Sequence, residues 1–127
     1  MSIIGYAAEA RSFKDWLEWS TLGRPRDLQI MYGLGGERRL TEVELPELEG
    51  YRRSHPVRVG NGAYSQFQLD IYGELLDSAH LYRKSGGGMD PECWEYLRGV
   101  VDYVMEHWRE PDEGICEVRG PRQHFVF

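Results

Sequence analysis

The stretch DPECWEYLRGVVDYVMEHW, residues 90–108, is the clearest helical segment of the chain. Asp90 is a residue type that caps helix N-termini, and Pro91 suits the first helical position because the N–H it lacks would be unpaired there anyway. An apolar stripe follows, mostly at spacings of three or four residues, and consists of Trp94, Leu97, Val101, Val104, Met105 and Trp108. This pattern predicts an amphipathic helix whose stripe packs into the core, a far commoner role than a cofactor box.

Two further helices are expected upstream. The first runs from Ile3 to about Leu22, with Phe13, Trp16 and Leu17 on one face and Lys14, Asp15 and Glu18 on the other. The second runs from about Ala63 to Ser85, with Asn61 as its N-cap and the glycines at 86–88 closing it. Its apolar positions, also assigned to the core, are Tyr64, Phe67, Ile71, Leu75, Ala79 and Tyr82.

The segment DLQIMYGLGGERRLTEVEL, 27–45, predicts a β-hairpin or two short strands. Its two polar-apolar runs contain Leu28, Ile30 and Tyr32, and then Leu40, Val43 and Leu45, with the glycine-rich turn at 33–36 between them. A phosphate loop would need a Lys followed by Ser or Thr, which is missing here. Residues 46–62 predict a loop with a short helical turn at Pro46–Leu48. The expected fold class is therefore mainly α, with three amphipathic helices and a small β-hairpin.

Length and charge narrow the range of functions. The 127 residues are enough for at most one domain. With 15 Lys+Arg against 21 Asp+Glu the net charge is -6, which argues against the basic surface of a nucleic-acid-binding protein. No apolar run approaches the roughly 20 residues that span a bilayer, and the N-terminus lacks the basic start of a signal peptide. We therefore expect no nucleic acid or membrane as a partner, and a cytoplasmic location.

The cysteines and histidines do not form a metal-binding pattern. Cys93 and Cys116 have no second Cys or His at the spacing of a zinc site. The four histidines, at 55, 80, 107 and 124, show no HxH or HxxxH grouping. No structural metal is expected. Two reduced thiols are the default in a cytosolic protein, although the sequence alone also permits a disulfide between them.

The residues EPDEGICEVRG, 110–120, follow the clearest helix and are rich in carboxylates. Glu117 lies in the short apolar run formed with Ile115, Cys116 and Val118. Desolvation by apolar neighbours disfavours the charged form of a carboxyl and raises its pKa, which suits a general acid working near neutral pH. The residues alone favour a plainer interpretation, namely a polar loop between two elements.

The longer stretch HWREPDEGICEVRGPRQHF, 107–125, resembles the general-acid segment of glycoside hydrolase family 15, the bacterial glucoamylase and trehalase-like enzymes. Two other blocks share the resemblance, DLQIMYGLGGERRL at 27–40 and PVRVGNGAYSQFQLDIYGE at 56–74. With the helices between them, the likeness covers essentially the whole chain. It implies that residues 1–127 are a single partial domain, the central part of a catalytic (α/α)6 toroid with its active site at one mouth.

The resemblance also implies an activity, which is inverting hydrolysis of an α-linked glucose in trehalose or an α-glucan, without a cofactor. Glu117 matches the general acid of the family. The residues expected to line the sugar site are Tyr32, Arg58, Asn61, Trp108, Arg119 and His124. Two of them have an equally good structural role: Asn61 also suits a helix cap, and Arg119 a surface ion pair. For Trp108, packing in the core is expected more strongly than contact with a sugar.

Three departures from the family pattern separate this chain from a working enzyme. Cys116 stands where the family commonly has Trp, so the apolar wall beside Glu117 is smaller. The upstream Arg-Asp pair that grips the glucose has no counterpart, and the downstream general base is missing. We therefore expect the chain alone to be inactive. The alternative is a non-catalytic helical module that binds sugar or protein, and helix faces left exposed predict self-association.

Overall fold

The mainly helical fold is confirmed by a computed structural model, which describes residues 5–21, 23–116 and 120–125. In chain order the helices and strands are α1 (Ala7–Thr21), β1 (Val43–Glu44), β2 (Arg58–Val59), α2 (Asp70–Lys84) and α3 (Pro91–His107). Short 3₁₀ helices cover Pro25–Asp27, Tyr51–Arg53 and Gly62–Ser65. Within the described ranges, every helix is too short or too polar to pass through a bilayer.

Helix α3 begins as its sequence predicts. Pro91 is the first helical residue, and the Asp90 carboxylate accepts a hydrogen bond from the backbone N–H of Cys93 at 2.8 Å. This bond pairs one of the N–H groups that a helix start leaves without an intrahelical partner. The same hydrogen bond, followed by the attraction of Lys14 at 3.9 Å, lowers the pKa of Asp90. The cap is therefore stronger when the carboxyl is ionised.

The buried face of α3 is not the predicted stripe. Val100 is fully buried, and Cys93 and Leu97 lie beside it in the core. Four members of the stripe are exposed instead: Trp94, Val101, Met105 and Trp108. Apolar residues occupy two faces of this helix at the same spacing, and periodicity cannot tell which face meets a neighbour. The core assignment was right for Leu97 and, in part, for Val104, and wrong for the other four.

The core joins α2 to α3 and to the 3₁₀ helix at Pro25–Asp27. Tyr72 and Leu75 of α2 pack against the buried face of α3. The Tyr72 ring lies 5.3 Å from that of Tyr103, centre to centre, and its hydroxyl donates to the Pro25 carbonyl at 3.2 Å. Burial raises the pKa of Tyr72, so the hydroxyl stays protonated and keeps donating. One side chain thus holds two helices and the chain after α1 together.

Helix α2 is shorter than expected. The predicted helix from Ala63 to Ser85 is interrupted, because a 3₁₀ turn at Gly62–Ser65 is followed by a non-helical segment, and α2 begins only at Asp70. Asn61 is a cap as predicted, but of the 3₁₀ turn: its side chain accepts from Ala63 N–H at 2.9 Å. The prediction of one continuous helix was therefore wrong at its N-terminal end.

Helix α1 turns part of its charged face inward. Lys14 and Glu18 were predicted on the face opposite Phe13 and Leu17, but all four residues line one small cavity of about 230 Å³ between the three helices. Lys14 and Glu18 pair with each other there at 2.6 Å. A lysine can cover apolar surface with its alkyl stem while its ammonium finds a partner. Phe13 and Trp16 stack on each other, and the Trp16 N–H donates to the Leu34 carbonyl at 2.9 Å.

The β-hairpin was expected in the wrong place. Strand β1 pairs antiparallel with β2, in the register Val43↔Val59 and Glu44↔Arg58, and not with residues 28–32. Residues 46–62, predicted as a loop, therefore contain the partner strand. The turn at 33–36 is confirmed by the bond from Gly36 N–H to the Gly33 carbonyl at 2.9 Å. Gly60 is required after β2, because a Cβ there would lie 2.2 Å from the Thr41 carbonyl oxygen.

Two adjacent valines test which face of α3 is buried. Val100→Ala removes two methyl groups from a residue that is 0% exposed, and should lower the free energy of unfolding by about 2–3 kcal/mol. Val101→Ala changes a residue that is 41% exposed and should stay within about 0.5 kcal/mol of wild type. Urea denaturation measures both. A larger decrease in the free energy of unfolding for Val101→Ala than for Val100→Ala would show that the predicted stripe is the buried face.

The Asp90 cap predicts a pH dependence. Because the folded pKa of Asp90 lies below its ordinary value of 3.8, the ionised cap stabilises the fold above that pH, and the stabilisation is lost as pH falls through the folded pKa. Asn also caps helices but does not titrate. The stability of wild type relative to Asp90→Asn should therefore fall as the solution is acidified below 3.8, measured as thermal midpoints. A pH-independent difference would contradict this role.

Candidate functional site

A polar cleft of about 900 Å³ is the part of the described surface that best fits a hydrophilic ligand. One side consists of the chain after α1 and after the glycine-rich turn, including Gln29, Arg38 and Arg39. The other side includes Tyr64, Gln66 and Phe67, and the floor near the end of α3 includes Tyr103, Glu110 and Arg122. Polar groups set among aromatic rings are the usual lining of a small-molecule site. The cavity beside Lys14 is smaller and mainly apolar.

Gln29 joins the two sides of the cleft. Its side-chain amide donates to the Arg38 carbonyl at 2.9 Å and to the Tyr64 carbonyl at 3.0 Å. The Arg38 guanidinium in turn donates to the Asp27 carbonyl and lies 5.5 Å from the centre of the Tyr32 ring. Residues 28–32 form no strand, and the Gln29 side chain joins this segment to residues 38 and 64. The cleft is therefore held open by tertiary hydrogen bonds.

The end of α3 supplies the acidic side of the cleft. His107 Nδ1 lies 2.7 Å from a carboxylate oxygen of Glu110, and its ring packs on that of Tyr103 at 4.1 Å. Arg122 pairs with Glu113 at 3.0 Å and lies over the Phe67 ring at 5.1 Å. The cleft thus presents fixed cationic and anionic side chains beside aromatic rings. Such a surface can bind hydroxyl groups on one side and C–H groups on the other.

The predicted catalytic residue cannot be placed in this cleft. Glu117 and Arg119 lie outside the described residues, so their roles stay predictions. Both cysteines are free thiols; Cys116, the residue before Glu117, is exposed, and Cys93 is buried. Residues 110 and 122, on either side of this segment in the sequence, both line the cleft. Tyr32 lies close by, since its hydroxyl accepts from Gln29 N–H at 2.9 Å.

The other predicted sugar-binding residues are engaged elsewhere or exposed. Arg58 in β2 pairs with Glu42 at 3.3 Å and Glu44 at 2.9 Å. Asn61 acts as a cap, and His124 is exposed. Trp108 is 57% exposed, with the Arg109 guanidinium 4.5 Å from its ring centre, so the core role expected for it is wrong. Their roles in sugar binding stay predictions.

Several cleft residues were not predicted from the sequence. Gln29 and Arg38 belong to the block 27–40 that carries the resemblance, and that block was the only available signal for them. Glu110 is the first residue of the carboxylate-rich stretch 110–120, and Arg122 lies two residues beyond its end. Their meeting in one cleft depends on contacts between residues far apart in the sequence.

Comparisons with known proteins agree on one family. The family model described as "Glycosyl hydrolases family 15" matches residues 1–126. A trehalase of Mycolicibacterium smegmatis is 52% identical over 82% of this chain and 16% of its own length. A trehalase of Mycobacterium tuberculosis is 54% identical over 78% of this chain and 15% of its own length. A trehalase of Thermoplasma acidophilum is 32% identical over 100% of this chain and 22% of its own length.

The chain therefore spans less than a quarter of the length of these curated relatives. No solved structure matches it.

The tie through Gln29 is open to a direct stability test. Gln29→Met keeps the size of the side chain but removes both donors, leaving two carbonyls unpaired, and should lower the free energy of unfolding by about 1–3 kcal/mol. The exposed Gln123→Met is the matched control and should change it by less than about 0.5 kcal/mol. Urea denaturation measures both. Equal unfolding midpoints for the two variants would show that the Gln29 side chain does not hold the two segments together.

Proposed function

The chain belongs to glycosyl hydrolase family 15, and from that premise we propose that it is a segment of a glycoside hydrolase acting on an α-glucoside, with trehalose the first candidate. Three relatives named as trehalases support this choice of substrate. The observation that carries the proposal is the polar cleft, which is lined by Glu110 and Arg122, residues that precede and follow Glu117 in the sequence. Its groups suit the hydroxyls of a disaccharide.

In the proposed mechanism Glu117 is the general acid. It protonates the glycosidic oxygen as the bond to the anomeric carbon breaks. A second carboxylate removes a proton from water, which attacks from the opposite face and inverts the configuration; room for this water sets the two carboxyls roughly 6.5–9.5 Å apart. No residue of this chain is assigned as that base. The acid half of the reaction thus belongs to this segment, and the base half to polypeptide outside it.

The described side chains would bind and orient the sugar. Arg38 and Arg122 can hydrogen-bond hydroxyl groups of the sugar. Gln29 holds the cleft in shape instead, since both hydrogens of its amide are bound within the protein. Tyr64 and Phe67 offer ring faces to the apolar side of a pyranose. We further propose the sugar-binding roles of Tyr32, Arg58, Asn61, Trp108, Arg119 and His124 as the family pattern implies them. Fixed orientation of this kind lowers the entropic cost of reaching the transition state.

We also propose that the three helices are part of a larger helical toroid, with residues 1–127 a single partial domain. The exposed apolar side chains Trp94, Met105 and Trp108 on one face of α3 support this arrangement. The small share of each relative that the chain spans supports it too. The cytoplasmic location expected from the sequence stays a prediction.

The isolated chain should release no glucose from trehalose or maltose at an enzymatic rate, because one assigned carboxylate cannot complete an inverting mechanism. A coupled glucose assay with wild type and Glu117→Gln measures this. Glucose release by wild type that disappears in Glu117→Gln would show that the segment is catalytically complete.

The second candidate function is a non-catalytic helical module that binds sugar or protein. Cys116 in place of the family tryptophan and the exposed face of α3 favour it.

Self-association through such faces stays a prediction. Light scattering across a concentration series should show mass rising with concentration, since exposed apolar patches promote association. A constant monomer mass would exclude self-association. If the mass of wild type rises with concentration and that of Trp94→Glu does not, the interface includes this face of α3.

A further inference from the structure

Asp112 is a buried carboxylate that holds two backbone amides from different parts of the chain. Its side chain is enclosed, the residue being only 4% exposed. One oxygen accepts from Leu69 N–H at 2.9 Å, and the other from Gly114 N–H at 3.0 Å. Leu69 immediately precedes α2, where backbone N–H groups have no intrahelical acceptor and the helix dipole favours a negative charge. Asp112 therefore caps α2 from 43 residues away.

Glu113 repeats this arrangement one residue later. One of its oxygens accepts from Phe67 N–H at 2.7 Å, and the Glu113 N–H donates to the Phe67 carbonyl at 3.0 Å. The other oxygen pairs with Arg122 at 3.0 Å. Two adjacent acids thus bind alternate residues of the segment that replaces the predicted N-terminal part of α2.

The chain after residue 120 is attached at the same place. Asp112 N–H donates to the Gln123 carbonyl at 3.0 Å, and Gln123 N–H to the Asp112 carbonyl at 2.8 Å. Gly114 has a positive φ of 69°, and a Cβ there would lie 2.8 Å from the Phe125 ring. Three separate segments, at 67–69, 112–114 and 122–125, are therefore joined around the carboxylates of Asp112 and Glu113.

All four oxygens of these two carboxylates are used within the protein. Each oxygen accepts from a donor of its own, so the protein itself holds both side chains in place. Within the described ranges no cluster of His, Cys, Asp and Glu is suited to a metal ion. The observed contacts of this pair are thus structural ones.

We infer that Asp112 and Glu113 are positioning residues, which fasten the segment 110–116 to the start of α2 and so fix the chain that leads directly into Glu117. This inference rests on the proposed function, in which Glu117 is the acid. Bonds to ionised acceptors are the stronger hydrogen bonds of proteins, and removing one partner leaves a buried group unpaired. The fastening therefore acts on residues 112–114, which end three positions before Glu117.

Electrostatic repulsion between acids would act in the opposite direction. Burial raises the pKa of Asp70 in the first turn of α2, and the negative charge of Asp112 raises it further. Asp112→Asn removes this like charge and should relieve the repulsion. Any loosening seen in that variant must therefore come from the lost hydrogen bonds.

Cys116 provides a probe at the right place, because it is exposed and directly precedes Glu117. Cys93 is buried, and burial raises its pKa to about 12, so a thiol-specific spin label should react at Cys116 alone. The experiment labels the 127-residue chain in wild type, Asp112→Asn, Glu113→Gln and the control Glu106→Gln, which is exposed on α3. Label mobility, amide exchange at Phe67, Leu69 and Gly114, and the thermal midpoint are measured.

The expected order of label mobility is wild type and Glu106→Gln lowest, Glu113→Gln intermediate and Asp112→Asn highest. Exchange at one of the two amides, Leu69 or Gly114, should rise about tenfold or more in Asp112→Asn, because Asn keeps one acceptor oxygen for two N–H groups. Amides in the middle of α3 should change much less. In Glu113→Gln the rise should be smaller and confined to Phe67, because Gln offers one uncharged acceptor oxygen to two donors, the Phe67 N–H and Arg122.

Unchanged label mobility in both acid variants would overturn the inference, as would mobility that rises only together with global unfolding. If Asp112→Asn does not fold, Glu113→Gln decides the matter by label mobility and amide exchange. Neither measurement uses sugar or turnover. The fastening by Asp112 and Glu113 can therefore be refuted even if the chain binds trehalose. If the chain fails to bind trehalose, the label and exchange data still test the fastening.

Discussion

The packing of α2 on α3 is the constraint on which the rest of the molecule depends. Tyr72 is almost completely buried between the two helices, and its hydroxyl reaches the Pro25 carbonyl. That one bond positions the chain after α1, which supplies Gln29 and Arg38 to the cleft. Loss of this packing would separate the two sides of the cleft, because the hydrogen bonds of Gln29 presuppose their spacing.

The acids near the end of the chain have separate roles despite their proximity in the sequence. The carboxylates of Asp112 and Glu113 accept hydrogen bonds from backbone amides and Arg122, whereas Glu110 lines the cleft beside His107. Asp112 and Glu113 bind the segment before α2, and the exposed Glu110 lines the polar cleft. This division explains why a run of carboxylates can persist in one loop: its like charges are neutralised by bonds to N–H groups and to a guanidinium.

The sequence was informative where local rules decide the structure. The cap of α3 at Asp90, the turn at 33–36 and the three helices follow from residue type and spacing. The start of α2 could not be found in this way, because the amides of Phe67 and Leu69 are bound by acids more than 40 positions later. Nor could the sequence tell the buried face of α3 from its exposed one, since both are apolar. Among the cleft residues, Arg122 owes its place to the same distant contacts.

The most direct test of the account is to map trehalose on the 127-residue chain by amide and side-chain NMR. Binding in the polar cleft predicts that shifts concentrate at Gln29, Arg38, Tyr64 and Arg122 and extend to Cys116. Shifts centred on the apolar cavity around Leu75 and Met89, or none at a saturating sugar concentration, would contradict the assignment of the cleft as the sugar site.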